Sequence, residues 1–301
     1  MKVQHIYGEE VTKGIMSVSQ DDLKRGDHLA DALFLEQFLV WNIPLLACCF
    51  FVGILYVYLF RRFRSHDEPR RKPVFFFLAL VSLYAVTGSP LAAASHLTFS
   101  LHMLQMSLVY FIIPPFMLLG IPGRLYRRIR NMRVLVIFNN GRRFFPSKIS
   151  LLMFGVLFLF YHLPFVLDLL AQYPLLQNIY SILLIVLAFS MWMPIASPDP
   201  DERLPRQEMK HYAWLSGAVI MPACLIFIAN ALIGGMANPF GSQWTPQLCT
   251  SGQTDSAAAG GLLPYPFHTE YEQAFAGVLM LSVHKASIVM SCRLGNKDDE
   301  A

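Results

Sequence analysis

Seven apolar windows constrain this 301-residue chain more than any other feature, because each is close to the length of about 20 residues that a helix needs to cross a bilayer. They fall at roughly 38–60, 74–94, 101–122, 149–170, 175–196, 212–235 and 271–291, the last interrupted by His284 and Lys285. Only 15% of the residues are charged, where a soluble domain carries about 25%.

The basic residues test the window count independently, because cytoplasmic loops of membrane proteins collect Lys and Arg. The segment RRFRSHDEPRRK after the first window holds six, GRLYRRIRNMR with GRRFFPSK after the third holds eight, and DPDERLPRQEMK after the fifth holds three. That places 17 of the 24 Lys and Arg in alternate connections, while SHLTFS, AQYP and the long 236–270 segment contain none. The expectation is an all-α polytopic membrane protein, a seven-transmembrane-helix bundle with its N-terminus outside and its C-terminus inside.

Three segments follow. Residues 1–37 carry four basic and seven acidic side chains and no apolar signal core, so they read as an extracytoplasmic tail. Within it, the spacing of Leu29, Ala32, Leu33 and Leu39 predicts a short interfacial helix leading into the first span. Residues 38–291 form the membrane domain, and 292–301 form a cytoplasmic C-terminal tail. The outer loop at 236–270 is rich in Gly, Pro, Ser and Thr and long for a connection. No internal repeat is evident, which weakens a permease built from duplicated halves. The prolines inside the windows free carbonyls that lipid cannot satisfy, so their kinks should face neighbouring helices.

Five cysteines make no disulfide framework, because only Cys249 falls on the outer side. Cys48 and Cys49, adjacent on a helix and about 100° apart, read as small apolar residues. The chain has no G-x-S-x-G elbow, P-loop, H-E-x-x-H or C-x-x-C, so nothing supports hydrolysis or nucleotide use. No feature points to nucleic acid. Lys285 in the last window would suit a retinal pigment, but the third window has no Asp or Glu to serve as counter-ion.

Ionisable and polar side chains inside a span are costly and therefore mark candidate sites. His102, Met103, Met106, His162 and Asp168 share the outer third of the predicted bilayer. His102 and Met106 stand at i and i+4 on one helical face, with Gln105 at i+3. Imidazole with thioether is a soft donor set that favours Cu(I). His162 could complete such a site, and His96 lies in the loop above it. The alternative is that the methionines pack and the histidines only hydrogen-bond carbonyls or headgroups. On depth alone, His284 falls too far inward to join the cluster.

The stretch GSPLAAASHLTFSLHMLQMSLVYFIIPPFMLLGIPGR, residues 88–124, resembles the signature region of the CtaG family of cytochrome c oxidase assembly factors, found in bacteria with caa-type oxidases. The matching residues are Ser89 with Pro90, His102 with Met103 and Gln105, Pro114 with Pro115, and Gly120 with Pro122. YHLPFVLD, MWMPIASP and YEQAFAGVLML resemble the family's runs in the fourth, fifth and seventh helices. Met106 stands where many members have a second histidine, Met193 replaces a tryptophan, and Glu272 stands where aspartate is usual.

The resemblance implies a non-catalytic assembly factor for a haem-copper cytochrome c oxidase in the bacterial cytoplasmic membrane, with oxidase subunits and a copper donor protein as partners. Copper, as Cu(I), would be held on the outer face by His102, Met103, Met106 and His162, with His96 above. Gln105, Asp168, Glu272 and Gln273 would support the ligands or dock a partner. A metal-free membrane chaperone that holds an oxidase subunit is the alternative.

Overall fold

The structure is a computed structural model and describes residues 41–64, 68–95, 99–131, 147–233 and 270–299. Met1–Ile43 form one unit and Pro44–Ala301 another. The expected interfacial helix and the 236–270 loop lie outside the described residues, as does Cys249. Every regular element described is helical.

The helices are α1 (Ile43–Phe63), α2 (Lys72–Thr87), α3 (Pro90–Ala94), α4 (Phe99–Ser107), α5 (Ile113–Gly120), α6 (Gly123–Arg130), α7 (Ser147–Tyr161), α8 (Pro164–Gln172), α9 (Pro174–Ala196), α10 (Arg206–Ile233) and α11 (Glu270–Asp299). A π-helical turn, Leu108–Ile112, joins α4 and α5 into one span, Phe99–Gly120. Among the described residues, five spans are long and apolar enough to cross a membrane: α1, the α4–α5 span, α9, α10 and α11. The other two predicted windows contain the shorter apolar helices α2 and α7, of 16 and 15 residues.

Proline explains both shortfalls. The window at 74–94 divides at Gly88–Ser89, because Pro90 cannot donate to the preceding turn. The window at 149–170 divides at His162–Leu163. Leu163 precedes Pro164 and takes an extended conformation, φ −81° and ψ 132°, since the proline ring disfavours the helical region for the residue before it.

Side chains from neighbouring helices fill the backbone positions that these prolines vacate. Pro90 removes the donor that would reach Val86, and Gln105 Nε2 donates to the Val86 carbonyl instead, at 2.6 Å. Pro114 removes the donor for Tyr110, and Trp192 Nε1 donates to that carbonyl at 2.9 Å. Pro115 removes the donor for Phe111, and Ser287 Oγ donates to its carbonyl. An unpaired carbonyl in hydrocarbon costs several kcal/mol by transfer estimates (about 2–7), so these three contacts lock α4–α5 to α2, α9 and α11.

The proline rings need not face the bundle themselves. Pro90 and Pro222 are exposed, contrary to the expectation, whereas Pro114, Pro115 and Pro194 are buried. The physical requirement falls on the carbonyl one turn earlier, and Val86 is fully buried beneath exposed Pro90.

The core is aromatic and rich in methionine. Phe99, Met103, Phe111, Phe154, Phe158, Trp192 and Met280 are buried to within 2% exposure. Close helix approaches use glycine: a Cβ on Gly120 would lie 2.7 Å from the backbone nitrogen of Phe76, and one on Gly277 would lie 2.8 Å from the Cys224 carbonyl. Such small-residue contacts are how helices associate where burial from water gives no driving force. Conversely, Ile54, Trp214 and Leu232 are 69%, 78% and 80% exposed, a surface suited to lipid.

Candidate metal site at one end of the bundle

One end of the bundle collects the start of α4, the end of α7, the C-terminal part of α10 and the start of α11. Phe99 and Phe227 meet edge to face at 4.9 Å between ring centroids, and Phe227 meets His162 at 5.1 Å. His102 stacks on Tyr161 at 6.4 Å, and Tyr161 contacts His162 at 5.3 Å. The two histidines predicted from different spans therefore flank one tyrosine ring.

His162 owes its orientation to the break before Pro164. Its backbone N–H turns to Leu159 O at 3.1 Å, in a tighter turn, and leaves Phe158 O one turn back. His162 Nδ1 takes that carbonyl at 2.6 Å. A carbonyl only accepts, so Nδ1 carries the proton and Nε2 of the neutral ring keeps its lone pair. Nε2 is buried and, among the described residues, has no hydrogen-bond partner. A ring fixed through one nitrogen with the other bare is the usual arrangement of a metal-binding histidine.

Met103 and Met106 are both buried in the same core cluster as Tyr161. Among the described residues, no group of three or more His, Cys, Asp or Glu is placed to hold a metal ion. Any ion here would depend on thioether as well as imidazole donors, and that donor set fits a soft cation such as Cu(I).

Other predicted residues have different placements. Gln105 faces α2 and holds the Val86 carbonyl. Glu272 is buried and accepts from both the backbone N–H and the hydroxyl of Ser100, each at 3.0 Å, so it caps the N-terminus of α4 from another helix. Gln273 is buried and, among the described residues, its Oε1 has no hydrogen-bond partner. His96 and the side chain of Asp168 lie outside the described residues.

His284 lies about 18 Å along α11 from Glu272 at 1.5 Å per residue. The structure adds that it is fully buried, with Nε2 3.0 Å from Ser216 Oγ and its ring against Phe111 and Trp192. An ionisable residue deep in an apolar window was the signal that could have marked it as a core group. Lys285, next to it, is exposed.

The opposite end is charged. Buried Asp199 meets Arg127 at 3.5 Å and Arg130 at 3.9 Å, and Glu202 pairs with Arg130 and accepts from Tyr126 at 2.9 Å. Arg203 donates to the carbonyls of Ser197 and Gly295, both at 2.9 Å. Glu68 accepts from Gly123 N at 2.6 Å and pairs with Lys72. The basic segments that alternate along the sequence thus meet at this end.

No curated protein and no solved structure matches the chain. The family model for the cytochrome c oxidase caa3 assembly factor matches residues 54–291, which include His102, Met103, Met106 and His162 as well as the prolines and the side chains that replace their donors. The chain belongs to the cytochrome c oxidase caa3 assembly factor family, CtaG.

Proposed function

We propose that the chain spans the bacterial cytoplasmic membrane seven times, basic end inward, and assembles a haem-copper oxidase by binding Cu(I) at its outer end and passing it to an oxidase subunit. The observation that carries this reading is the bare, buried Nε2 of His162, held in place through Nδ1 and linked through Tyr161 to His102. Copper is cargo here. His162 Nε2, the His102 ring and the thioethers of Met103 and Met106 would hold it, and such ligands exchange stepwise with those of an acceptor.

Membership of an assembly-factor family and the absence of hydrolase or nucleotide motifs support a non-catalytic role. Oxidase subunits are the partners the family implies, and a copper donor protein is a further one. The positive charge gathered at one end supports the orientation, with the C-terminus on the same side.

The test is a Cu(I) titration of the purified protein against a chromophoric chelator. The wild-type chain should bind one tight equivalent that the His102→Ala, Met106→Leu, His162→Ala variant loses. Equal binding by both would sink the copper reading.

The positions of Gln105 and Glu272 favour the alternative of a metal-free chaperone. Both were expected to support the ligands or dock a partner, and both satisfy backbone groups of neighbouring helices. If the triple variant still supports an oxidase with full copper and still associates with an oxidase subunit, that reading replaces the first.

A further inference from the structure

We propose that the cleft between α1 and α2 holds an acyl chain of an anionic phospholipid, with the phosphate against Arg61. The cleft has a volume of about 570 Å³ and is lined by Phe50, Gly53, Ile54 and Val57 of α1 and by Phe77 and Leu80 of α2. It exists because α1 is held to α2 and α5 through a small separate cluster. Tyr56 stacks on Phe76 at 3.8 Å and donates to the Gly120 carbonyl at 2.7 Å, while Gly53 lets the Phe77 ring of α2 come close, since a Cβ there would lie 3.2 Å from it.

Charge selects the occupant. Arg61 is the one charged residue in the lining, and it sits at the basic end of the bundle. Beside it, Arg64 lies over the Phe60 ring, and Arg62 and Arg128 lie over the Phe63 ring, each at 5.8 Å. Among the described residues, none of these four arginines pairs with a carboxylate, whereas Arg127 and Arg130 are paired to Asp199 and Glu202. Glu68, the described carboxylate nearest in sequence, is committed to Lys72 and Gly123.

Arg61 in the wall of an apolar slot, with three further guanidinium groups over the neighbouring Phe60 and Phe63 rings, matches a lipid whose tail is apolar and whose head is an anion. A zwitterionic lipid brings no net charge to compensate them. A partner's membrane helix would need the full hydrocarbon thickness of about 30 Å, whereas the slot from Leu46 to Arg61 runs about 22 Å along α1 at 1.5 Å per residue. The inference rests on the membrane-spanning reading and not on copper, so loss of Cu(I) binding would leave it standing.

The full-length chain, purified in detergent and mixed with equal amounts of phosphatidylglycerol and phosphatidylcholine, would be examined by native mass spectrometry. One phosphatidylglycerol should be retained at least five-fold over phosphatidylcholine. Arg61→Gln should bring that ratio near one. Ile54→Trp, which fills the slot and leaves the arginines, should reduce retention of both lipids, and exposed Lys210→Gln should change nothing. Circular dichroism would confirm that each variant is folded. Equal retention of the two lipids by the wild-type chain, or an unchanged ratio in Arg61→Gln, overturns the proposal. So does a photoreactive residue at position 54 that captures a protein chain in cells instead of phospholipid.

Discussion

Replacing Trp192 with Phe tests the rule that links the prolines to the packing. The indole nitrogen is the donor that replaces the N–H missing from Pro114, at 2.9 Å from the Tyr110 carbonyl, and Trp192 is 2% exposed. Removing it leaves a buried carbonyl unsatisfied, which costs about 1–3 kcal/mol, and leaves a gap where the larger ring packed, which brings the expected loss to roughly 2–4 kcal/mol. Pro114→Ala supplies an N–H one turn beyond Tyr110. In that background the same Trp192→Phe change should cost less, by an amount near the ~0.6 kcal/mol average and below the ~1.7 kcal/mol maximum found for hydrogen bonds between membrane helices. Equilibrium unfolding in mixed micelles for the four proteins of the cycle gives the coupling. Additivity within about 0.3–0.5 kcal/mol, the scatter of independent sites, would refute the reasoning.

Four further outcomes follow from the packing. Gly120→Ala should destabilise by about 1–3 kcal/mol, because the new methyl meets the Phe76 backbone, which cannot give way. Gly217→Ala, with nothing within 4 Å of its Cβ, should instead stabilise α10 by roughly 0.5–1 kcal/mol; thermal midpoints of opposite sign check the pair. Glu272→Gln should weaken the start of α4 by about 0.3–2 kcal/mol through loss of the charge at the helix N-terminus, seen as faster amide exchange at Ser100 and Leu101. Asp199→Asn should cost about 1–3 kcal/mol because Arg130 and half-exposed Arg127 lose their buried partner, and added salt should narrow the difference.

Much of the architecture was legible in the sequence because lipid demands apolar length. All seven windows contain apolar helices, and the alternating basic segments do gather at one end. The breaks at Gly88–Ser89 and His162–Leu163 were less legible, since a proline inside an apolar window can kink a helix or end it, and packing decides which. The π-helical turn before Pro114 left no sequence mark at all.

At the candidate site, spacing brought His102 and His162 to the same end, since depth can be counted at 1.5 Å per residue. What Gln105 and Glu272 do could not be counted. Gln105 was read as support for the ligands from its i+3 position, but which side of α4 faces α2 depends on tertiary packing. The signal for its real partner was present in Pro90, whose missing donor requires a substitute. For Glu272 the signal was the bare N-terminus of α4, which starts on Phe99 and Ser100 with no acidic residue in its own first turn.

The proposed function requires delivery of copper through His162 and its neighbours. It is tested most directly by the copper content of the oxidase purified from a strain lacking this protein and complemented with the wild-type chain or with His162→Gln. His162→Gln keeps a side-chain N–H that could hold the Phe158 carbonyl while removing the imidazole lone pair. The wild-type chain should restore the full copper complement, and His162→Gln, present in the membrane at equal level, should leave the oxidase deficient in copper. A fully metallated, active oxidase with His162→Gln, or in the strain with no complementing chain, would contradict the proposed function.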